Sequence, residues 1–98
     1  MSDNNWNRKQ CLKIANWLSK RKKPENKLIA EWCSHGSCEI RLFATPLDLK
    51  PHLVIRIADR IHLFMDTPHK IGNRLCCCKA ELYDTLKEWY FNDSTRKN

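Results

Sequence analysis

The spacing of the hydrophobic residues changes twice along the chain, and this constrains the fold more than any other feature. Near the start they recur every three or four residues, as on one face of a helix. Between residues 28 and 65 they alternate with polar residues, as in strands, and after residue 72 the helical spacing returns. We predict one α+β domain over residues 1–98 with the order α-β-β-β-β-α, an antiparallel sheet packed against N- and C-terminal helices, and a polar tail at 92–98.

The first helix is expected from about Asn5 to Lys20. Pro24 ends it, because a proline disfavours helical geometry in the residue before it. The apolar face of this helix consists of Cys11, Ile14, Ala15 and Leu18. A second stripe combines aromatic and polar residues: Trp6, Gln10, Lys13 and Trp17.

Two alternating runs, 28–33 and 38–44, flank a short loop that contains Gly36 and predict a β-hairpin. With Cys33 opposite Cys38, Glu31 pairs with Ile40 and Ile29 with Leu42. In this register a second set of side chains lies on the opposite face: Trp32, Arg41 and Phe43.

The segment from His52 to Met65 fits two structures. As a hairpin, its hydrophobic residues fall at every second position on both sides of a turn at Ala58-Asp59. As a helix, it would have Pro51 in its first turn, where proline is favourable. The β-branched residues favour strands, so we predict the hairpin.

After Gly72 the helical spacing predicts a closing helix capped by Asn73. Its apolar stripe is Leu75, Cys78, Leu82, Leu86 and Trp89, widened by Tyr83 and Tyr90. Trp89 is therefore expected in the core.

Positive charge is concentrated in the first 28 residues. The chain has 18 lysines and arginines and 11 aspartates and glutamates, a formal net charge of +7. Residues 1–28 hold eight basic side chains and two acidic ones and carry +6, whereas the other 70 residues carry +1. Such a patch attracts a polyanion or an acidic protein surface.

The same charges have the spacing of a bipartite nuclear-import signal: Arg8-Lys9, ten residues, then Lys20-Arg21-Lys22-Lys23. We expect a cytoplasmic location, and a nuclear one if the host is eukaryotic. No apolar run approaches the roughly 20 residues of a membrane-spanning helix, so no membrane partner is expected.

Six cysteines raise the question of disulfides and metals. Residues 1–8 are polar and predict no signal peptide, so we expect reduced thiols, with Cys11 and Cys78 buried as small hydrophobic residues. A disulfide between Cys33 and Cys38 across the hairpin is the alternative.

Zinc is a second interpretation of these residues. The candidate ligands are Cys33, His35, Cys38 and Cys76, but no C-x-x-C pair is present. We therefore expect no cofactor and no metal, with a zinc site at these four positions as the alternative.

Catalytic patterns are missing from the sequence. It contains no glycine-rich phosphate loop, no H-E-x-x-H and no G-x-S-x-G. A cysteine near a histidine, such as Cys38 near His35, resembles a nucleophile with its base, but such a pair needs a base within hydrogen-bond reach and a third group to orient it, and the sequence shows neither. We expect no enzymatic activity.

The leading hypothesis is a small, basic, non-enzymatic protein that binds nucleic acid, RNA or DNA, through its first helix and the linker after it. Cationic side chains neutralise phosphates, and tryptophan stacks on unpaired bases. The predicted binding residues are Arg8, Lys9, Lys13, Trp17, Lys20, Arg21, Lys22, Lys23 and Lys27, with Trp6 as a candidate partner-binding residue. The alternative is a viral or phage regulatory protein that binds and modulates a host protein.

The predicted order of elements also occurs in double-stranded-RNA-binding modules, which read shape and phosphates. In those modules the closing helix begins with a cluster of lysines. Residues 76–81 of this chain contain a single lysine, Lys79. The sequence is therefore assigned to no family.

Overall fold

A long amphipathic helix opens the fold. The structure, a computed structural model, describes residues 2–33, 36–68 and 70–91, so His35, His69 and the tail at 92–98 lie outside the described residues. Helix α1 runs from Ser2 to Arg21 and buries the side chains of Cys11, Ile14 and Leu18, as the spacing predicts. Neither helix in this part of the chain combines the length and the hydrophobicity needed to span a membrane.

One antiparallel sheet follows, with the strands of the described residues in the order β1-β2-β3-β4-β5. The strands are β1 Lys27–Trp32, β2 Cys38–Phe43, β3 Leu53–Ile57, β4 Ile61–Asp66 and β5 Ile71–Cys76. Helix α2 spans Lys79–Leu86 and continues into a π-helical turn at Lys87–Phe91. The predicted α+β class, an antiparallel sheet packed against an N-terminal and a C-terminal helix, is confirmed.

The core lies on one face of the sheet, which we call the core face. Helix α1 packs over β1, β2 and β3 on this side, and α2 packs over β4 and β5. Strands β2, β3 and β4 contribute alternate residues that are at most 3% exposed: Cys38, Ile40, Leu42, Leu53, Ile55, Ile57, Ile61, Leu63 and Met65. Each such side chain stabilises the fold by about 1.5–3 kcal/mol through burial.

The other face, the open face, is not covered by either helix. It carries charged and aromatic side chains, among them Glu39, Arg41, Arg56, His62 and Phe64. Glu39 accepts hydrogen bonds from Arg56 (2.7 Å) and from Arg41, and Arg41 also pairs with Glu31 at 2.9 Å. The hydrogen bond from Arg56 and the charge of Arg41 hold the pKa of Glu39 below its usual value, against the opposing effect of burial.

The strand interpretation of residues 52–65 is confirmed, with a longer turn than expected. Ile57 pairs with Ile61, so the loop has three residues, 58–60, and the amide of Ala58 donates to the carbonyl of Arg60. The alternating residues all reach the core face, because a three-residue loop keeps Ile57 and Ile61 on the same side of the sheet.

The predicted register of the first hairpin is wrong by one residue. Trp32, not Cys33, lies opposite Cys38, and Glu31 pairs with Glu39. Cys33 belongs to the loop, where its amide donates to the carbonyl of Ser37 and Gly36 adopts a φ of 92°. Glycine suits this left-handed geometry. In the observed register Trp32 lies on the core face, whereas Arg41 lies on the open face.

The predicted helix directly after Gly72 is also wrong. Residues 71–76 form β5, a fifth strand, so Asn73 lies within a strand and does not cap a helix. Thr67 and Lys70 exchange backbone hydrogen bonds across a tight turn that lets the chain pair with β4. Helix α2 therefore begins only at Lys79, and Cys78 is exposed rather than buried. Pairing to β4 satisfies the backbone of 71–76 better than one more turn on a short helix.

The expectation of fully reduced cysteines is wrong for two of them. Cys11 of α1 and Cys38 of β2 form a disulfide, with Cα atoms 6.4 Å apart. The alternative pairing of Cys38 with Cys33 is excluded by the same bond. The free cysteines of the described residues are Cys33, Cys76, Cys77 and Cys78. The disulfide ties α1 to the second strand and constrains the unfolded chain over a separation of 27 residues.

The π-helical turn is fixed to the sheet by His52 and Tyr90. His52 Nε2 and the Tyr90 hydroxyl are 2.7 Å apart, and Nδ1 of His52 is buried with no hydrogen-bond partner among the described residues. Burial lowers the pKa of His52, although the nearby Asp48 carboxylate opposes the shift. Burial and the charge of Glu25 raise the pKa of Tyr90 to about 12. Both side chains are therefore neutral in the folded protein near pH 7.

We expect the free energy of unfolding to fall as the pH drops below 6.5, the ordinary pKa of histidine. Because the pKa of His52 is lower in the folded state, the unfolded chain binds the proton more readily, and acid favours unfolding. Denaturant unfolding at pH 7.5 and 5.5 measures the change. A His52→Gln variant should lose part of this pH dependence, and an unchanged slope in that variant would contradict the assignment.

Candidate nucleic-acid interface

The predicted cations of the N-terminal segment lie on the solvent side of α1, on the turn after it and, in the case of Lys27, at the start of β1. Lys22 is half-buried. The other seven are exposed: Arg8, Lys9, Lys13, Lys20, Arg21, Lys23 and Lys27. This placement follows from the apolar stripe of α1. Because that stripe faces the sheet, the charged positions between its members face water.

Three of these cations form a narrow row, which we call the lysine stripe: Lys9, Lys13 and Lys20. At about 100° per residue they fall within about 40° of one another around the helix axis, almost opposite the buried side chain of Leu18. At 1.5 Å per residue the row is about 16 Å long. The three lysines therefore lie along one exposed side of α1.

No basic side chain of the N-terminal segment forms an ion pair with a described residue. The ion pairs of the described residues all involve cations of the sheet and its loops: Arg41 with Glu31 and Glu39, Arg56 with Glu39, and Lys50 with Asp66. Within the described part of the chain, the positive charge of α1 is therefore not neutralised by a neighbouring carboxylate.

Helix α2 adds a cation that the sequence analysis did not identify. Lys79, in the first turn of α2, lies against Lys13. The pKa of Lys79 is lowered, first by burial and then by the charge and contact of the Lys13 ammonium group. Two like charges in contact, without an acidic partner among the described residues, provide a site where an anion reduces the repulsion. No sequence signal marks this pair, because it depends on how the two helices pack.

Trp17 does not offer a free ring. It stacks on Tyr83 of α2, with ring centroids 4.4 Å apart, and the guanidinium of Arg21 lies 4.4 Å from the Trp17 centroid. Phe91 packs edge-on at 5.6 Å. Stacking on a base needs an uncovered aromatic face. Trp17 therefore joins α1 to α2 and, unlike the neighbouring cations, has no free surface of the kind that base stacking needs.

Trp6 is more accessible. Its side chain is 40% exposed and lines a cavity of about 270 Å³ together with Asn7, Ala58 and Asp59. The Asn7 side chain donates to the carbonyl of Gly36 at 2.7 Å, which holds this end of α1 to the first hairpin loop. Trp6 lies at the opposite end of α1 from the turn at 22–26, so the structure does not bring these two features together.

The linker after α1 is an ordered turn. Asn26 accepts from the amide of Lys23 at 3.0 Å and donates to the carbonyl of Ala44 at 3.1 Å, and Lys22 Nζ donates to the carbonyl of Asn26 at 3.0 Å. Lys22 thus has a structural contact as well as a charge.

The structure does not assemble the candidate zinc ligands that it describes. Cys38 is bonded to Cys11, and Cys76 lies three strands away from Cys38 in the sheet, about 14 Å at the usual strand spacing. His35 lies outside the described residues. Among the described residues, no group of three or more histidines, cysteines or carboxylates is arranged to hold a metal ion.

The exposed Cys77 is a poor nucleophile. Its thiol donates to the Glu81 carboxylate at 2.9 Å, as does its backbone amide at the same distance. This hydrogen bond and the negative charge of Glu81 raise the pKa of Cys77 to about 11. Because the thiolate is the reactive form, a mostly protonated Cys77 is a weaker nucleophile near neutral pH than an ordinary exposed cysteine.

Comparisons with the profiles of known protein families, with curated proteins and with solved structures found no match for this chain.

Replacing Trp17 with alanine should destabilise the fold by about 2–3 kcal/mol, somewhat below the 3–5 kcal/mol typical of a fully buried aromatic residue. The ring is half-buried and holds α1 against α2. Trp6→Ala should cost less than about 1 kcal/mol, because that side chain is 40% exposed and lies in the first turns of α1, away from α2. Thermal and denaturant unfolding of both variants compares the costs. A larger loss for Trp6→Ala would show that the two tryptophans are assigned the wrong way round.

Proposed function

We propose that this protein binds nucleic acid, RNA or DNA, through the solvent side of α1 and the turn after it. The observation that carries the proposal is the set of exposed cations with no carboxylate partner among the described residues. Exposed cations without a neighbouring carboxylate create a positive surface potential. This potential attracts polyanions such as the phosphate backbone of a nucleic acid.

The shape of the cationic surface supports contact with a phosphate backbone. The lysine stripe extends for about 16 Å along a straight helix, and Lys79 widens it beside Lys13. Lysine is a compact point charge that contacts phosphates without a fixed orientation. Each lysine contact with a phosphate releases condensed counterions, so affinity depends strongly on salt.

The packing of Trp17 restricts the mode of recognition. Since Tyr83 stacks on this ring and Arg21 lies over it, the surface contributes charge rather than base stacking. Phosphate contacts position a protein on nucleic acid but carry no sequence information. The proposed binding is therefore insensitive to sequence.

The test replaces the lysine stripe with glutamine in one variant, Lys9→Gln/Lys13→Gln/Lys20→Gln. Binding to a labelled RNA and a labelled DNA is measured by fluorescence anisotropy at several salt concentrations. Each phosphate contact contributes about 0.7–0.9 to the slope of log affinity against log salt. We expect the slope to decrease by about 2–3 in this variant, with weaker binding at low salt.

A matched control carries the same loss of charge elsewhere: Lys50→Gln/Arg60→Gln/Lys87→Gln. These side chains are exposed and lie outside the N-terminal segment. The control should keep most of the affinity and nearly the same slope. Equal losses in the two variants would mean that net charge alone drives binding, and no binding by the wild-type protein would falsify the proposal.

A further inference from the structure

Strand β5 is an edge strand with large apolar side chains in solvent. It pairs with β4 along one side, and within the described residues no strand pairs with its other side. Ile71 is 79% exposed and Leu75 is 47% exposed, both on the open face. An edge strand with unpaired backbone groups and exposed apolar residues is a template for another strand.

The residues of β5 are self-complementary. In an antiparallel pairing of two copies centred on Asn73, Ile71 of one copy lies opposite Leu75 of the other, and this contact occurs twice. On the core face, Gly72 lies opposite Arg74. Two apolar side chains, Ile71 and Leu75, therefore lie opposite each other, and the large Arg74 side chain lies opposite Gly72, which has none. Opposed apolar pairs of this kind stabilise antiparallel strands.

Among the described residues, no contact and no backbone strain accounts for a glycine at position 72. A Cβ atom placed there meets nothing within 4 Å, and Gly36 alone among the described glycines has a positive φ. Glycine inside a strand is unfavourable and often marks the close approach of another backbone. The neighbouring Arg74 leans over its own helix, 5.3 Å from the Trp89 ring and 3.3 Å from the Thr85 hydroxyl. The space above Gly72 therefore stays open.

Charge distinguishes the two edges of the sheet. The β1 edge carries Lys27 and Glu31 and lies under α1, so a second copy at that edge would bring two strongly basic helices together. Charged side chains on an edge also oppose strand addition. The β5 edge is the farthest from α1 in the sheet order. Pairing there keeps the two N-terminal segments apart.

From these observations we propose that two copies of the chain associate through their β5 strands, antiparallel and in register at Asn73, to form one continuous sheet of two subunits. The interface is isologous, since the same strand contributes from both copies. This inference does not depend on nucleic-acid binding.

The first experiment measures the dimerisation constant by sedimentation equilibrium over a range of protein concentrations. The variant Ile71→Lys/Leu75→Lys replaces both apolar contacts with opposed like charges, and we expect it to dimerise at least about tenfold more weakly than the wild type. The control Leu47→Lys/Leu49→Lys changes two residues that are 89% and 99% exposed in the loop before β3. The control should dimerise like the wild type, and a thermal melt confirms that each variant folds.

A second experiment tests the register. Asn73→Cys is introduced with Cys77→Ser and Cys78→Ser, and the protein is oxidised with copper phenanthroline. Directly opposed residues of antiparallel strands have Cα atoms about 4.5–5.5 Å apart, which a disulfide can bridge. We expect a covalent dimer, and none in the same double-serine background without Asn73→Cys.

Three results would overturn the inference. One is a wild-type protein that stays monomeric at every concentration, which would leave the β5 edge to a different partner. Another is an equal effect of the β5 variant and the loop control. The third is a protein that dimerises in sedimentation equilibrium but whose Asn73→Cys variant forms no cross-link on oxidation, which would place the interface elsewhere.

Discussion

The packing of α1 onto one face of the sheet is the contact on which the other features of this protein depend. The stripe of Cys11, Ile14 and Leu18 is buried there, and the disulfide to Cys38 fixes the helix to β2. Since a helix has one buried side and one solvated side, burial of this stripe directs the lysine stripe outward. The same packing brings Trp17 against Tyr83 and so determines where α2 lies.

The open face of the sheet and the solvent side of α1 differ in whether their charged side chains are paired. On the open face, Glu39 joins Arg41 and Arg56 in one network, and the pKa of its carboxyl is lowered by them. On α1 the cations lack such partners among the described residues. A neutralised network stabilises locally and attracts little at a distance, whereas unpaired cations produce a field that extends about a Debye length into solution. The functional proposal follows from this difference rather than from the net charge alone.

The sheet edges differ for a related reason. The β1 edge lies beneath the basic helix and carries Lys27 and Glu31, while the β5 edge exposes Ile71 and Leu75. Isolated exposed apolar residues are common, but here they flank a glycine and lie beside unpaired backbone. A basic helix over one edge and an apolar strand at the other separate the two proposed interactions in space, so each is testable without the other.

The sequence by itself determined the fold class, the apolar stripe of α1, the alternation of β3 and β4, and the identity of the exposed cations. These features depend on local periodicity, which is a property of consecutive residues. It also identified the asymmetry of charge on which the proposed function rests.

Only the tertiary structure decided the remaining features, because each depends on which segments meet. The hairpin register follows from the loop geometry at Gly36 and from the core that Cys38 enters, and β5 forms because β4 offers it a partner. The Cys11 disulfide, the contact of Lys79 with Lys13, and the covering of Trp17 all join residues far apart in the chain. Periodicity reveals which side of an element is buried, but not the neighbour that buries it.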